Sequence, residues 1–199
     1  MTRRKQADRS AATRSGLVAA GRRLFAEHGF AGVGTEAIVA EAAVSRGALY
    51  HHFADKTELF AGVLEAVEAD VAEEIAAQAL AGDDPAFAAV MMRAVEAWLD
   101  ACEAPEVQRI LLTDGPSVLG WARWREICQP YVLSLIETAV VQGIASGEVA
   151  DLPARPLAHA LIAVADEAAM YVVSADDREA ARKDMTVIFE RTLRALAAG

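Results

Sequence analysis

The sequence predicts an all-α protein built from about nine helices. Three observations point there: alanine supplies 45 of 199 residues, glycine only 13 and proline only 6. Strong helix formers with few breakers favour helices throughout, and no segment keeps the apolar–polar alternation of a strand. Hydrophobic residues make up 54% and charged residues 24%, which excludes disordered and low-complexity chains. Cys102 and Cys128 lack the spacing of a disulfide framework or a metal site. They suit a reducing, cytoplasmic setting. The first ten residues, MTRRKQADRS, precede no apolar segment of an export signal, and no uninterrupted apolar run approaches the roughly 18 residues of a membrane span.

The elements follow from punctuation and periodicity. Thr13 to His28 carries Leu17, Ala20, Leu24 and Phe25 on one face and stops at Gly29. Thr35 to Ala42 is a short amphipathic helix through Ile38 and Val39, and Ser45 is a good N-cap for a third helix reaching about His52. Asp55 and Glu58 form a capping-box-like start to a long helix, about residues 56–81, striped by Phe60, Val63, Leu64, Val67, Val71 and Ile75. Asp84-Pro85 opens a fifth helix and Pro105 a sixth, ending at Asp114-Gly115-Pro116. A seventh spans Trp121 to Ser146, with a kink expected at Pro130 because proline removes a backbone donor. The eighth runs from near Pro153 to Ser174, and Asp176-Asp177 caps the ninth.

Net charge is −10, but its distribution is uneven. Residues 1–56 hold nine Lys/Arg against five Asp/Glu, and residues 57–199 hold ten against twenty-four. A basic front end on an acidic body often marks a nucleic-acid contact, with the acidic part turned away from phosphate. The chemistry concentrates between Thr35 and Lys56. There two short helices, TEAIVAEA and RGALYHH, flank Ala42-Ala43-Val44-Ser45, and Ile38, Val39, Val44 and Leu49 supply a small core. That is a helix-turn-helix. Its second helix would show Arg46, Gly47, Tyr50 and His51 to a major groove after Ser45. Arg46 suits a guanine edge or a phosphate, Gly47 permits close backbone approach, and Tyr50 and His51 suit phosphates. Thr35 and Lys56, at the starts of the flanking helices, either complete a phosphate clamp or serve as a cap and a solvated charge.

The run from Thr13 to Val67 resembles the N-terminal domain of the TetR family of bacterial transcriptional repressors. The resemblance rests on Ala20, Leu24-Phe25, Gly29-Phe30, Thr35, Ile38, Ala42, Val44-Ser45, Gly47, Leu49-Tyr50, Phe53, Lys56 and Leu59. It implies an N-terminal three-helix DNA-binding domain, residues 1–56, and a C-terminal helical domain, residues 57–199. It also implies a homodimer and a small-molecule effector. The family often carries glycine where Ala43 stands, and alanine in a left-handed turn costs on the order of 1 kcal/mol.

The C-terminal body offers two further sets of candidates. Leu157, Leu161, Val164, Ala168 and Val172 stripe the eighth helix, and Ile188, Leu193 and Leu196 the ninth. They would either meet a second subunit in a four-helix bundle or be buried within one subunit. Phe87, Met91, Trp98, Trp121, Trp124, Tyr131, Met170 and Tyr171 are either ordinary core residues or the lining of an effector pocket. Asp166 and Glu167 interrupt an apolar run; they would line that pocket or pair with Arg123 or Arg125.

Competing chemistries are weaker. Gly29-Phe30-Ala31-Gly32-Val33-Gly34 follows a helix rather than a strand and lacks the dinucleotide spacing. His51, His52 and Asp55 do not converge as zinc ligands, and no nucleophile, base and orienting group stand together. No cofactor, metal or catalytic residue is expected. The reading is a ligand-responsive repressor on a palindromic operator. A transcriptional activator of the same fold, or a helical protein-interaction module, is the alternative.

Overall fold

The computed structural model describes residues 2–197, with side chains from Gln6 onward; the side chains of Arg3, Arg4 and Lys5 lie outside the described residues. The helices are α1 (Thr2–Gly32), α2 (Thr35–Glu41), α3 (Arg46–His52), α4 (Lys56–Leu80) and α5 (Phe87–Ala101). There follow α6 (Pro105–Val107), a π-helical stretch Gln108–Asp114, α7 (Gly115–Leu119), α8 (Trp121–Ser146), α9 (Ala154–Ser174) and α10 (Arg178–Ala195). Taken as one segment, 105–119 makes nine helical stretches among the described residues. The sole β-type pairing among them is an isolated bridge from Val149 to Ala197.

Helix α1 begins eleven residues before Thr13. Its opening turns are polar and carry no apolar stripe, so periodicity gives no signal there. The expected stop at Gly29 is real as a break: φ is 71° and ψ 166°, after which the helix resumes briefly. Other termini follow their caps. The Ser45 hydroxyl accepts from the Ala48 N–H, Asp55 Oδ1 from Glu58 N–H at 2.9 Å, and Asp177 Oδ1 from Ala180 N–H. Helix α8 continues through Pro130.

The turn between α2 and α3 is a Schellman closure: Val44 N–H donates to Val39 O and Ala43 N–H to Ala40 O. Ala43, the residue where glycine is usual, has φ of 52°. Ala43→Gly is therefore expected to stabilise the protein by about 0.5–1 kcal/mol, the left-handed penalty less the greater freedom of unfolded glycine. A thermal melt should show a rise of about 1–4 °C; a fall would mean the turn carries no strain.

The chain forms two compact units, residues 1–68 with 105–127, and residues 69–104 with 128–199. This division is not the linear one expected at residue 56. The first unit holds twelve Lys/Arg against eleven Asp/Glu and the second seven against eighteen, so the charge asymmetry persists.

Inside the first unit, Leu17, Phe25, Ile38, Leu49, Phe60 and Leu64 are fully buried. Residues 105–127 are fastened to its N-terminal helices by polar bonds. Arg22 meets Glu106 bidentately at 2.7 and 2.8 Å, and Phe30 N–H donates to Asp114 Oδ2 at 2.7 Å. Arg123 meets Glu58 bidentately at 2.7 Å; that guanidinium holds the Glu58 carboxyl below its ordinary range. Trp124 is buried here, its indole donating to Leu111 O.

The second unit is centred on Phe87, Met91, Val95, Val140, Val149, Leu161, Phe189 and Leu193. A smaller cluster joins Leu133, Ala158 and Ile162. By length and composition α8 and α9 are apolar enough to cross a membrane, at mean hydropathies of 1.3 and 1.4. Helix α9 nevertheless places Ala158, Leu161, Ala168, Ala169 and Val172 in buried positions.

Candidate nucleic-acid interface

Leu49 is the buried anchor of α3, and the rest of the helix is set around it. With Leu49 inward, Arg46, Gly47, Tyr50 and His51 stand exposed on the other faces. Ser45 caps the helix by accepting at its hydroxyl oxygen, which fixes where the helix starts and leaves the O–H able to donate.

Arg46 is 63% exposed, 3.8 Å from Glu36, with its guanidinium 5.6 Å from the centre of the Tyr50 ring. Hydrogen bonding from Arg46, and then from Thr35, holds the Tyr50 phenol below its ordinary pKa. Arg46 and Tyr50 thus neighbour each other on α3, with Thr35 opening α2 nearby. Thr35 is not a cap; Gly34 holds that position.

Gly47 has no structural reason to be glycine. A Cβ there would meet only Ser45 Oγ, at 3.8 Å. Glycine inside a helix costs roughly 0.5–1 kcal/mol relative to alanine, a cost consistent with something outside the subunit approaching that backbone. Gly47→Ala is expected to raise thermal stability while weakening duplex binding several-fold. Unchanged binding in an anisotropy titration would remove that explanation.

Lys56 departs from the expected clamp. Its ammonium points inward, donating to Phe30 O and Val33 O at 2.9 Å each and lying 4.0 Å from the Phe30 ring centre. The start of α4 is thereby tied to the loop before α2, so Lys56 holds the interface in shape. An ammonium offered two orphan carbonyls and a ring face at a helix end takes them in preference to water.

The pocket candidates fall in both units. Trp121 and Trp124 belong to the first unit, and Phe87, Met91, Trp98, Tyr131, Asp166 and Met170 to the second. Phe87 and Met91 lie in the core, the Trp98 indole donates to Ala165 O, and Met170 is 45% exposed. Arg123 is engaged by Glu58 rather than by Asp166 or Glu167, Arg125 lies over the Trp121 ring, and Glu167 is exposed. Residues 105–127, with Trp121 and Trp124, fold back onto the N-terminal helices, which composition and period do not reveal.

The dimer candidates are also redistributed. Leu161, Ala168, Val172 and Leu193 are buried within the subunit, and Leu157, Val164 and Leu196 pack partly buried against its core. Of the eight, only Ile188 is exposed, at 53%; Val187 next to it on α10 and Met170 and Tyr171 on α9 are exposed as well. A helix stripe read from sequence shows which face is apolar, and here the subunit uses that face itself.

Comparison with known proteins agrees with this geometry. A family described as "Bacterial regulatory proteins, tetR family" matches residues 17–63, and one described as "Tetracyclin repressor-like, C-terminal domain" matches residues 88–196. The crystal structure of a TetR-family transcriptional regulator from Pectobacterium atrosepticum is 31% identical, at TM-score 0.83, covering 96% of this chain and 97% of that one. The structure of RolR in complex with resorcinol is 19% identical, at TM-score 0.74 and 96% coverage of both chains, a likeness of fold.

The HTH-type transcriptional repressor AcnR of Corynebacterium efficiens is 34% identical over 73 residues. That match covers 37% of this chain and 39% of AcnR, so the chain spans only about two fifths of that relative's length. A capped helix-turn-helix with an exposed second helix, ahead of a helical body matched over most of its length, carries one conclusion: the chain belongs to the TetR family of transcriptional regulators.

Proposed function

We propose that this chain is a ligand-responsive transcriptional repressor. A homodimer binds a palindromic operator through α2 and α3, and a small molecule in the C-terminal unit releases it. The observation that carries the reading is the outer face of α3. Its guanidinium, phenol and imidazole are exposed around a glycine the fold does not require. Arg46 reads a base edge, Tyr50 and His51 hold phosphates, and Gly47 lets the backbone close on the duplex. Thr35 and Lys56 keep these groups in place.

Twofold pairing would set two α3 helices about 34 Å apart, one turn of DNA. The exposed apolar side chains Met170, Tyr171, Val187 and Ile188 suit the pairing surface. For the effector, Gln129 Nε2 and His159 Nδ1 lie 3.3 Å apart and half-buried, on the helices that carry the Leu133, Ala158 and Ile162 cluster. Polar groups in apolar surroundings orient small ligands, and the resorcinol complex of RolR is the precedent in this fold. Moving the operator-bound state from 99:1 to 1:99 needs about 5.5 kcal/mol of differential effector affinity. Repression, rather than activation, follows the AcnR relatives, and a cytoplasmic location follows from a DNA target.

The test is selection of duplexes from a random-sequence pool by the full chain, followed by anisotropy titration and light scattering. Enrichment of an inverted repeat, bound by a dimer in a salt-sensitive complex, is the expected result. Failure to enrich any sequence would overturn it.

A further inference from the structure

We infer that the N-terminal turns of α1 and the end of α3 form a second DNA contact, a groove for the phosphodiester backbone. An open groove of about 550 Å³ lies between these helices, lined by Gln6, Arg9, Ser10 and Thr13 from α1 and by His51 and His52 from α3. The four α1 positions recur at i, i+3, i+4 and i+7, so they share one helix face. An apolar stripe at that spacing would close onto α3. This polar one leaves the groove open.

Thr13 gives its one donor to its own helix, while Gln6, Arg9, Ser10, His51 and His52 can donate outward, and no carboxylate lines the groove. The chemistry matches a ligand that only accepts, which phosphate oxygens do. The two helices are held in register nearby: the Arg14 guanidinium lies 5.2 Å from the centre of the Phe53 ring, and Phe53 is the C-cap of α3. Thr13 is fixed through its hydroxyl, which donates to Arg9 O at 3.0 Å. The His51 and His52 rings stand edge to face, 5.1 Å apart, so both border the groove from the same helix end.

The inference rests on reading α3 as the helix that enters the DNA. A strand whose bases meet Arg46 has neighbouring phosphates, and the α1 face offers them the Arg9 guanidinium, the Gln6 amide and the Ser10 hydroxyl. Such contacts set position and strength without reading sequence.

Anisotropy of the full chain is measured over a potassium chloride series, on a duplex selected from a random pool and on a scrambled duplex. The variants are Arg9→Ala, Arg9→Lys, Arg46→Ala and, as a control, Arg178→Ala on α10. Arg9→Ala is expected to weaken both duplexes alike, about three- to tenfold, and to lower the salt slope by about one. Arg9→Lys should restore the slope, and Arg178→Ala should leave it unchanged. If Arg9→Ala matches wild type while Arg46→Ala loses its preference for the selected duplex, the groove takes no DNA and α3 remains the reading helix. An equal loss for Arg178→Ala also overturns the groove, because any lost charge would then suffice. A wild-type chain with no salt-sensitive complex on either duplex overturns both readings.

Discussion

Phe60→Ala is expected to destabilise the protein by about 3–5 kcal/mol, the range for truncating a fully buried aromatic ring. Phe60 is 0% exposed and meets Phe25 and Phe30 edge to face, each at a centroid distance of 5.3 Å. Phe25 and Phe30 complete the triangle at 5.8 Å. Truncation removes the buried area, leaves a cavity and breaks two ring contacts worth about 0.5–1.5 kcal/mol each beyond area. The damage also reaches the interface, because the Phe30 ring lies beneath the Lys56 ammonium that ties α4 to the loop before α2. Domains are stable by only about 5–15 kcal/mol, so the loss is a large share of the total. Urea unfolding followed by circular dichroism checks it, with Phe60→Leu as the milder companion. A loss under about 1 kcal/mol for Phe60→Ala would show that the triangle does not support the first unit.

Arg46→Ala is expected to lower discrimination between selected and scrambled duplexes about 10- to 100-fold, the worth of a bidentate base contact of about 1–3 kcal/mol. Affinity for the scrambled duplex should fall only a few-fold, since phosphate attraction is shared among many groups. The side chain is exposed, so folding should be little affected. One readout needs no DNA. Arg46 is the leading cause of the lowered Tyr50 phenol pKa, so the variant should titrate Tyr50 closer to its ordinary value. Unchanged discrimination with a shifted Tyr50 would confirm the pair and deny Arg46 a base.

The interface helices were legible because their causes are short-range. The Ser45 and Asp55 caps bond three residues ahead, and Leu49 and Ile38 declare the inward face of helices only seven residues long. The strain at Ala43 was legible too, through the residue type expected in that turn. Less visible was α1 before Thr13. Gln6, Arg9, Ser10 and Thr13 share a face there, but that face is polar and lacks the apolar contrast by which period marks a helix. The π-helical stretch Gln108–Asp114 has no sequence signature comparable to a cap. The partners of Glu106, Asp114 and Arg123 were not legible either, since each bonds a residue of the N-terminal helices 65 or 84 positions away.

By itself, the sequence determined the helical class, the order of the helices and the exposed side chains of α3, since those depend on propensity, capping and period within a few residues. Only tertiary structure decided that residues 105–127 pack with the N-terminal helices, that Lys56 turns inward, and that the stripes of α9 and α10 serve the subunit's own core. Such outcomes turn on which distant surface gains most by leaving water. Periodicity identifies the face that must be covered, and packing selects what covers it.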